Sequence, residues 1–345
     1  RRSMSPTFTT LHLPLAPLGS RGTFGGTLVA QSLLASLSTV GPRFSPTSIH
    51  CYFIRGGDPA RHITYSVEHL RDGKNFSHRE VRAFQGRDLV FASTVLFAQE
   101  SPAQESVAHR KLRPLPSPGG YVPAGKLFAR EVLASEERTA HAAGMPTARR
   151  LGGVAHLEAV RDAFETPRLA YRVPVGFFRH AGERRDLEGY FVRVRQPGES
   201  PAKVGAPSLS PTEIEGESPM ALRVGAPSPV SRDSPAERHL VMPRSDPRWA
   251  YVELAYLSDS YLLLALPRLA GLPMYSHTFS VSLDHCIHFH HLPRVHDNVY
   301  VELSSARSHS DRHLVQAEYY DGKTGEIVAS VSQEGLAAYG QRAKL

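Results

Sequence analysis

Four histidines crowd one short stretch of the chain, His285, His288, His290 and His291 in DHCIHFHH. Imidazoles at that density could gather a metal ion. The stretch reads as a strand, however, so His285 and His291 point to one face while His288 and His290 point to the other. A single four-ligand site is not expected, and packed or surface histidines are the commoner reading; no metal is expected. Asp284-His285 supplies the letters of an acid–base pair, but adjacent strand residues face opposite ways. Three further residues could position a water: Asp259, which follows Ser258 at what reads as a helix start, Ser282, and Gln333. Each has a plain structural reading. An Asp at a helix start is usually an N-cap, and a strand Ser or Gln is usually packed or solvated. Spacing alone favours those readings. The chain has no GxSxG elbow, GxGxxG turn or P-loop string, so serine-nucleophile, dinucleotide and phosphoryl chemistry have no support.

The elements that would carry these residues come twice. In the first half, FGGTLVAQSLLASLSTV (Phe24–Val40) has helical spacing, and IHCYFIR, ITYSVEHL, KNFSHREVRAF and DLVFASTVLFA read as strands joined by turns at Asp72-Gly73 and Gln85-Gly86. In the second half, Asp259–Leu272 reads as a helix, and VSLDHCIHF, NVYVELSSAR, RHLVQAEYY and EIVASVSQEG read as strands, with a turn at Asp321-Gly322. A shift of 235 residues lays His50-Cys51 on His285-Cys286 and Phe24 on Asp259. The first-half counterparts of Ser282 and Gln333 then fall close to Thr47 and Leu96, so the first half lacks a carboxylate and an amide. One helix followed by an antiparallel meander, present twice, is a duplication. Two such copies can pair edge to edge into one extended sheet. The domain reading is 1–110, a connecting segment at 111–160 with a possible helix at Leu127–His141, and 161–340. In that last unit Arg168–Val175 and Tyr190–Val194 are candidate opening strands.

The remaining composition narrows the class. The chain has 345 residues, enough for two sizeable cores, with 41% hydrophobic and 21% charged residues. Two cysteines, Cys51 and Cys286, cannot build a disulfide framework and suit a reducing compartment. The net charge of +7 is dispersed, with no basic block, so nucleic acid is not an expected partner. No apolar run reaches the roughly 20 residues that span a bilayer. Residues 197–245 are rich in Pro, Ser, Gly and Glu, repeat VGAPS, and are expected to be a disordered insert. The final Ala343-Lys344-Leu345 has the small-basic-Leu form of a peroxisomal targeting tripeptide, which would engage an import receptor.

The strings FGGTLVAQSL, HCYFIRGGDP, VEHLRDGKNFSHREVRA, LAYLSDSYLL, SLDHCIHFH and VASVSQEG, in this order, resemble bacterial acyl-CoA thioesterase II and the peroxisomal acyl-CoA thioesterases. The likeness covers roughly residues 20–100 and 247–340. It implies an α+β double hotdog, two helix-plus-antiparallel-meander halves forming one extended sheet. It also implies hydrolysis of fatty-acyl-CoA to free acid and CoA by direct water attack, without a cofactor. The family's Asp, Thr or Ser, and Gln fall on Asp259, Ser282 and Gln333, with Ser in place of Thr. Gly25 and Gly26 are expected beside the bound CoA ester, and association into a homo-oligomer is a further expectation. The alternatives are a non-catalytic acyl-CoA binding protein, or a hotdog enoyl-CoA hydratase using Asp284 and His285.

Overall fold

The structure is a computed structural model that describes residues 5–16, 22–99, 114–133, 168–178, 184–196, 199, 220–225, 241–272 and 277–339. In the first half, strand β1 (Thr7–Thr10) precedes helix α1 (Gly25–Leu37). Strands β2 (Phe44–Phe53), β3 (Thr64–Asp72), β4 (Phe76–Gln85) and β5 (Asp88–Gln99) follow. The chain then forms β6 (Tyr121–Pro123), α2 (Ala124–Phe128), β7 (Leu169–Pro174), β8 (Glu188–Val194) and β9 (Leu222–Val224). The second half proper holds α3 (Trp249–Ser258), α4 (Leu266–Leu269), β10 (His277–Ser282), β11 (Asp284–Phe289), β12 (Val299–His309), β13 (Arg312–Asp321) and β14 (Ile327–Tyr339).

All the described strands join one sheet in the order β6-β7-β8-β12-β13-β14-β11-β2-β5-β4-β3-β1-β9, with β10 also paired to β14. Alternation does the work locally. Ile49 and Cys51 of β2, Val81 and Ala83 of β4, and Val95 and Phe97 of β5 are buried on one face, against α1. That helix is buried from Gly26 to Leu37 because it meets the sheet on one side and α3 on the other. A helix buried all round has no solvent face, and its polar Gln31 and Ser32 are bonded internally, to Tyr65 and Ser93. The two halves meet where β2 pairs antiparallel with β11, His50 opposite Cys286 and Cys51 opposite His285. This is the extended sheet that the duplication implies.

The registers fix the duplication more closely than the sequence does. Bulges interrupt β3/β4 between His69 and Arg71, and β12/β13 between Ser305 and Arg307. A second pair lies between Ala83 and Phe84, and between Tyr319 and Tyr320. Both pairs are 236 residues apart. Beyond the next turn the offset grows by two, because Asp321 bonds to Glu326 across four residues where Gln85 pairs with Asp88 across two. The 235-residue match is therefore corrected by one: side chains alternate along a strand, and an odd slip would lay inward residues on outward ones. The structural counterparts of Ser282 and Gln333 are Pro46 and Val95, in place of Thr47 and Leu96. Neither carries a hydroxyl or an amide.

Three other expectations change. The helix expected over Asp259–Leu272 is instead α3, which ends at Ser258. Asp259 is its C-cap, Tyr261 adopts φ 70°, and the chain continues as a 3-10 turn at Leu263–Ala265 and then α4 with Pro267 in its first turn. The 197–245 stretch is not wholly a disordered insert. Leu222–Val224 pairs with β1 on the outer edge of the first half, and Met220, Ala221 and Leu222 are buried there. Finally, the 111–160 connection contributes β6, which pairs with β7 at the far edge of the second half. The helix expected at Leu127–His141 is helical through Leu133, with a π turn from Ala129; its remainder, like Ala343–Leu345, lies outside the described residues.

Candidate active site

Asp259 is placed by what ends α3. A helix leaves its last carbonyls without partners, and here buried tyrosines supply them: Tyr319 of β13 donates to Ser258 O at 3.0 Å, and Tyr190 of β8 to Ser260 O at 3.1 Å. Gripped on both sides, the chain turns through the left-handed Tyr261, a conformation costing roughly 1–2 kcal/mol for a non-glycine residue. Strain of this sort persists where the surroundings fix it. The carboxylate thus projects from the C-terminal end of its own helix towards the N-terminal end of α1 in the other half.

Two glycines let the helices come this close. A Cβ on Gly25 would lie 2.5 Å from Asp259 Oδ2, and one on Gly26 would lie 2.3 Å from Tyr256 O. The close approach that Gly25 and Gly26 permit is to these protein atoms. In return, the Gly26 N–H donates to the Asp259 carboxylate. The positive end of the α1 dipole therefore sits beside the acid.

Ser282 ends β10 and Gln333 lies mid-way along β14, and the structure brings both to Asp259. Gln333 Nε2 donates to Asp259 Oδ1 at 2.7 Å and to Ser282 Oγ at 2.6 Å, while Ser282 Oγ lies 3.5 Å from Asp259 Oδ1. Three side chains expected from different elements form one connected cluster. Burial pushes the Asp259 carboxyl up to about 7, against the hydrogen bonds from Gln333, Gly26 and Ser282, which pull it down. A carboxyl of that pKa can take a proton from water and return it near neutral pH.

One residue joins the cluster that its spacing did not single out for this place. His285 is fully buried, its Nε2 is 2.9 Å from Ser258 Oγ, and its ring also bonds to the Gln333 side chain. Among the described residues, the buried His285 Nδ1 and Gln333 Oε1 each lack a partner in hydrogen-bonding geometry, and the two side chains adjoin. Burial lowers the His285 pKa to about 4, so the ring is neutral. A neutral ring with Nδ1 protonated would hold the Gln333 carbonyl and leave the amide N–H groups aimed at Asp259 and Ser282. The signal in the sequence was an inward-facing histidine on an apolar strand face, where an imidazole needs a polar partner. Asp284 points away and accepts from Glu334 N at 2.6 Å, so Asp284 and His285 form no acid–base pair.

Comparison with known proteins places the chain in a family. Residues 218–336 match the family model described as acyl-CoA thioesterase, and residues 13–98 match the one described as acyl-CoA thioesterase N-terminal domain. The chain is 43% identical over 344 residues to the peroxisomal acyl-coenzyme A thioester hydrolase 1 of Saccharomyces cerevisiae, covering 98% of this chain and 92% of that protein. The fold is similar to that of an acyl-CoA thioesterase II from Mycobacterium marinum, with a TM-score of 0.56 and 23% identity over 92% of this chain and 90% of that one. A hot dog fold protein from Alicyclobacillus acidocaldarius is also similar, with a TM-score of 0.59 and 12% identity over 98% and 96% of the two chains.

Proposed function

This chain belongs to the acyl-CoA thioesterase family and hydrolyses acyl-CoA to a carboxylic acid and CoA, and we propose that Asp259, Ser282 and Gln333 do so by activating a water directly. The observation that carries this reading is the bonded cluster of carboxylate, hydroxyl and amide, with the carboxyl held near neutrality. Ser282 and Gln333 orient the water, and Asp259 accepts its proton as the oxygen attacks the thioester carbonyl. The C–S bond then breaks, and the proton held on Asp259 passes to the departing sulfur, leaving free acid and CoA thiol. The pair Gly25-Gly26 brings the N-terminal end of α1 against the acid, where the helix dipole favours the ionised form. His285 is a positioning residue that keeps the Gln333 amide turned the right way.

Release of free thiol from a panel of short- to long-chain acyl-CoAs tests this. Asp259→Ala and Gln333→Ala are each expected to lose about 10²–10⁴-fold in kcat. His285→Ala should lower kcat with KM unchanged, since His285 adjoins Gln333 and Ser258 and not the substrate. Wild-type turnover in Asp259→Ala or Gln333→Ala would remove the triad assignment.

The peroxisome is the proposed location. Support comes from the yeast relative, whose name places it there, and from the tripeptide Ala343-Lys344-Leu345. Removal of those three residues is expected to leave a fluorescent fusion (tag on the amino-terminal side) in the cytosol. Unchanged punctate import would count against the tripeptide as the receptor's ligand. No helix among the described residues is long and apolar enough to cross a membrane.

A further inference from the structure

On β11 the residues alternate between two faces, and only the inward one belongs to the active site. His285 points inward; Cys286 and His288 point outward, beside His50 of β2. Cys286 and His50 are opposite one another across the strand pair that joins the halves. The Cys286 Sγ lies 3.8 Å from His50 Nε2 and 3.5 Å from His288 Nε2, and the three donor atoms lie within 4.8 Å of one another. The two imidazole rings stand nearly perpendicular, at 86°, with centroids 5.5 Å apart.

The geometry points to a zinc site formed by His50, Cys286 and His288 on the outer face of the sheet, clasping the two halves at their seam. Zinc takes a thiolate at about 2.3 Å and an imidazole nitrogen at about 2.0–2.1 Å in a tetrahedral set, which places sulfur and nitrogen about 3.6 Å apart. The two observed separations lie on either side of that value. One thiolate with two imidazoles is a donor set that suits zinc, and a carboxylate-preferring ion such as magnesium has no match here. The fourth position is left to water or to a small ligand. Cys286 and His288 line a cleft of about 550 Å³ on this face, together with Glu302, Gln316, Glu318 and Ser330. A ligand entering that cleft would reach the open position without approaching the acyl-CoA site.

The histidine run in the sequence did not reveal this set, because one donor within the stretch is a cysteine and another, His50, lies outside it. His285 is committed inward, and the outer His290 is bonded to Ser330 at 2.9 Å. The partners for His288 come from its own strand two residues back and from a strand more than 230 residues earlier in the chain. Only the antiparallel seam brings them together. Since the donors come from both halves, bound zinc would oppose separation of β2 from β11 and raise the unfolding temperature, as any ligand specific to the native state does.

Purified full-length protein, stripped with chelator, would be titrated with zinc and, separately, with cobalt as a spectroscopic probe. One equivalent of cobalt should bind with a thiolate-to-metal charge-transfer band and tetrahedral visible absorption. Both signals should vanish in Cys286→Ser, and affinity should fall at least tenfold in His50→Ala and in His288→Ala. Zinc should raise the wild-type melting temperature and leave that of Cys286→Ser unchanged. Thioesterase turnover of Cys286→Ser, measured without metal, reports that the variant is folded. The proposal is overturned if cobalt gives no thiolate band, or if zinc binds the wild type and Cys286→Ser equally, which would place the metal on other residues. Neither result bears on the thioesterase assignment.

Discussion

At the scale of single residues, the unusual group is Asp259, a carboxyl that keeps its proton to about pH 7 because it is enclosed. Its folded pKa lies above its unfolded one, so the native state holds the proton more tightly. Stability from this group is therefore greatest below the unfolded value and is lost as the pH rises towards the folded one. Asp259→Asn should accordingly gain stability over wild type progressively from about pH 4 to about pH 7, reaching about 4 kcal/mol and staying level above. Wild-type kcat/KM should rise over the upper part of the same interval, as the base ionises. Thermal unfolding and rate profiles across this range check both. A stability gain independent of pH, or a rate that is flat through neutrality, would show that the carboxyl titrates elsewhere. His285 has the opposite sense: its folded pKa is depressed, so its contribution is complete above about pH 6.5 and fades as the pH falls towards about 4.

At the scale of elements, two helix ends from different halves share one site, and the two glycines that allow it should respond differently to substitution. Gly26→Ala sets a methyl group against the Tyr256 carbonyl, a backbone atom that cannot swing away. It should cost about 1–3 kcal/mol of stability. Gly25→Ala meets the Asp259 carboxylate and the Phe53 ring, both side chains. It should spare more stability and lower kcat, and melting temperatures beside kcat values separate the two. Full activity in Gly25→Ala would mean that Asp259 tolerates displacement. Of this element structure, the strands, the turns and the doubling were legible in the sequence, since period-two alternation and the D-G and Q-G turns are local signals. The offset was misread by one because the repeated His-Cys pair is an identity of letters, whereas the bulges that fix the true offset are a property of pairing. The helix was misplaced because Tyr261 to Leu272 is apolar enough to continue one. The break at Asp259 comes from the left-handed Tyr261 and from Tyr319 and Tyr190, which arrive from distant strands and hold the Ser258 and Ser260 carbonyls. The three candidate site residues were read from the family resemblance, and their spacing alone would have left them as a cap and two strand residues.

At the scale of the whole molecule, the chain crosses between its halves more than once. Strand β9 comes from between β8 and α3, yet pairs with β1 at the opposite end of the sheet. Its length of three residues, set in a Pro- and Ser-rich stretch, gave no periodic signal. Even so, Leu222 is fully buried there, and Gly225 N donates to Thr7 O at 2.8 Å. Leu222→Ala should destabilise the protein by about 2–4 kcal/mol, the usual loss for emptying a buried leucine site. Unfolding by urea would report it, and an unchanged midpoint would show that β9 is held by its main chain alone.

That crossing has a consequence for how the protein is made. A ribosome releases the chain from its amino end, and early domains usually fold as they emerge. Here the first domain to emerge cannot finish alone: its outer edge at β1 waits for residues 222–224, and the amino end of α1 waits for Asp259. Through much of synthesis the nascent chain would carry an open strand edge and an uncovered helix. Completion therefore falls late, once the segment from β9 through β14 has emerged and closes both halves.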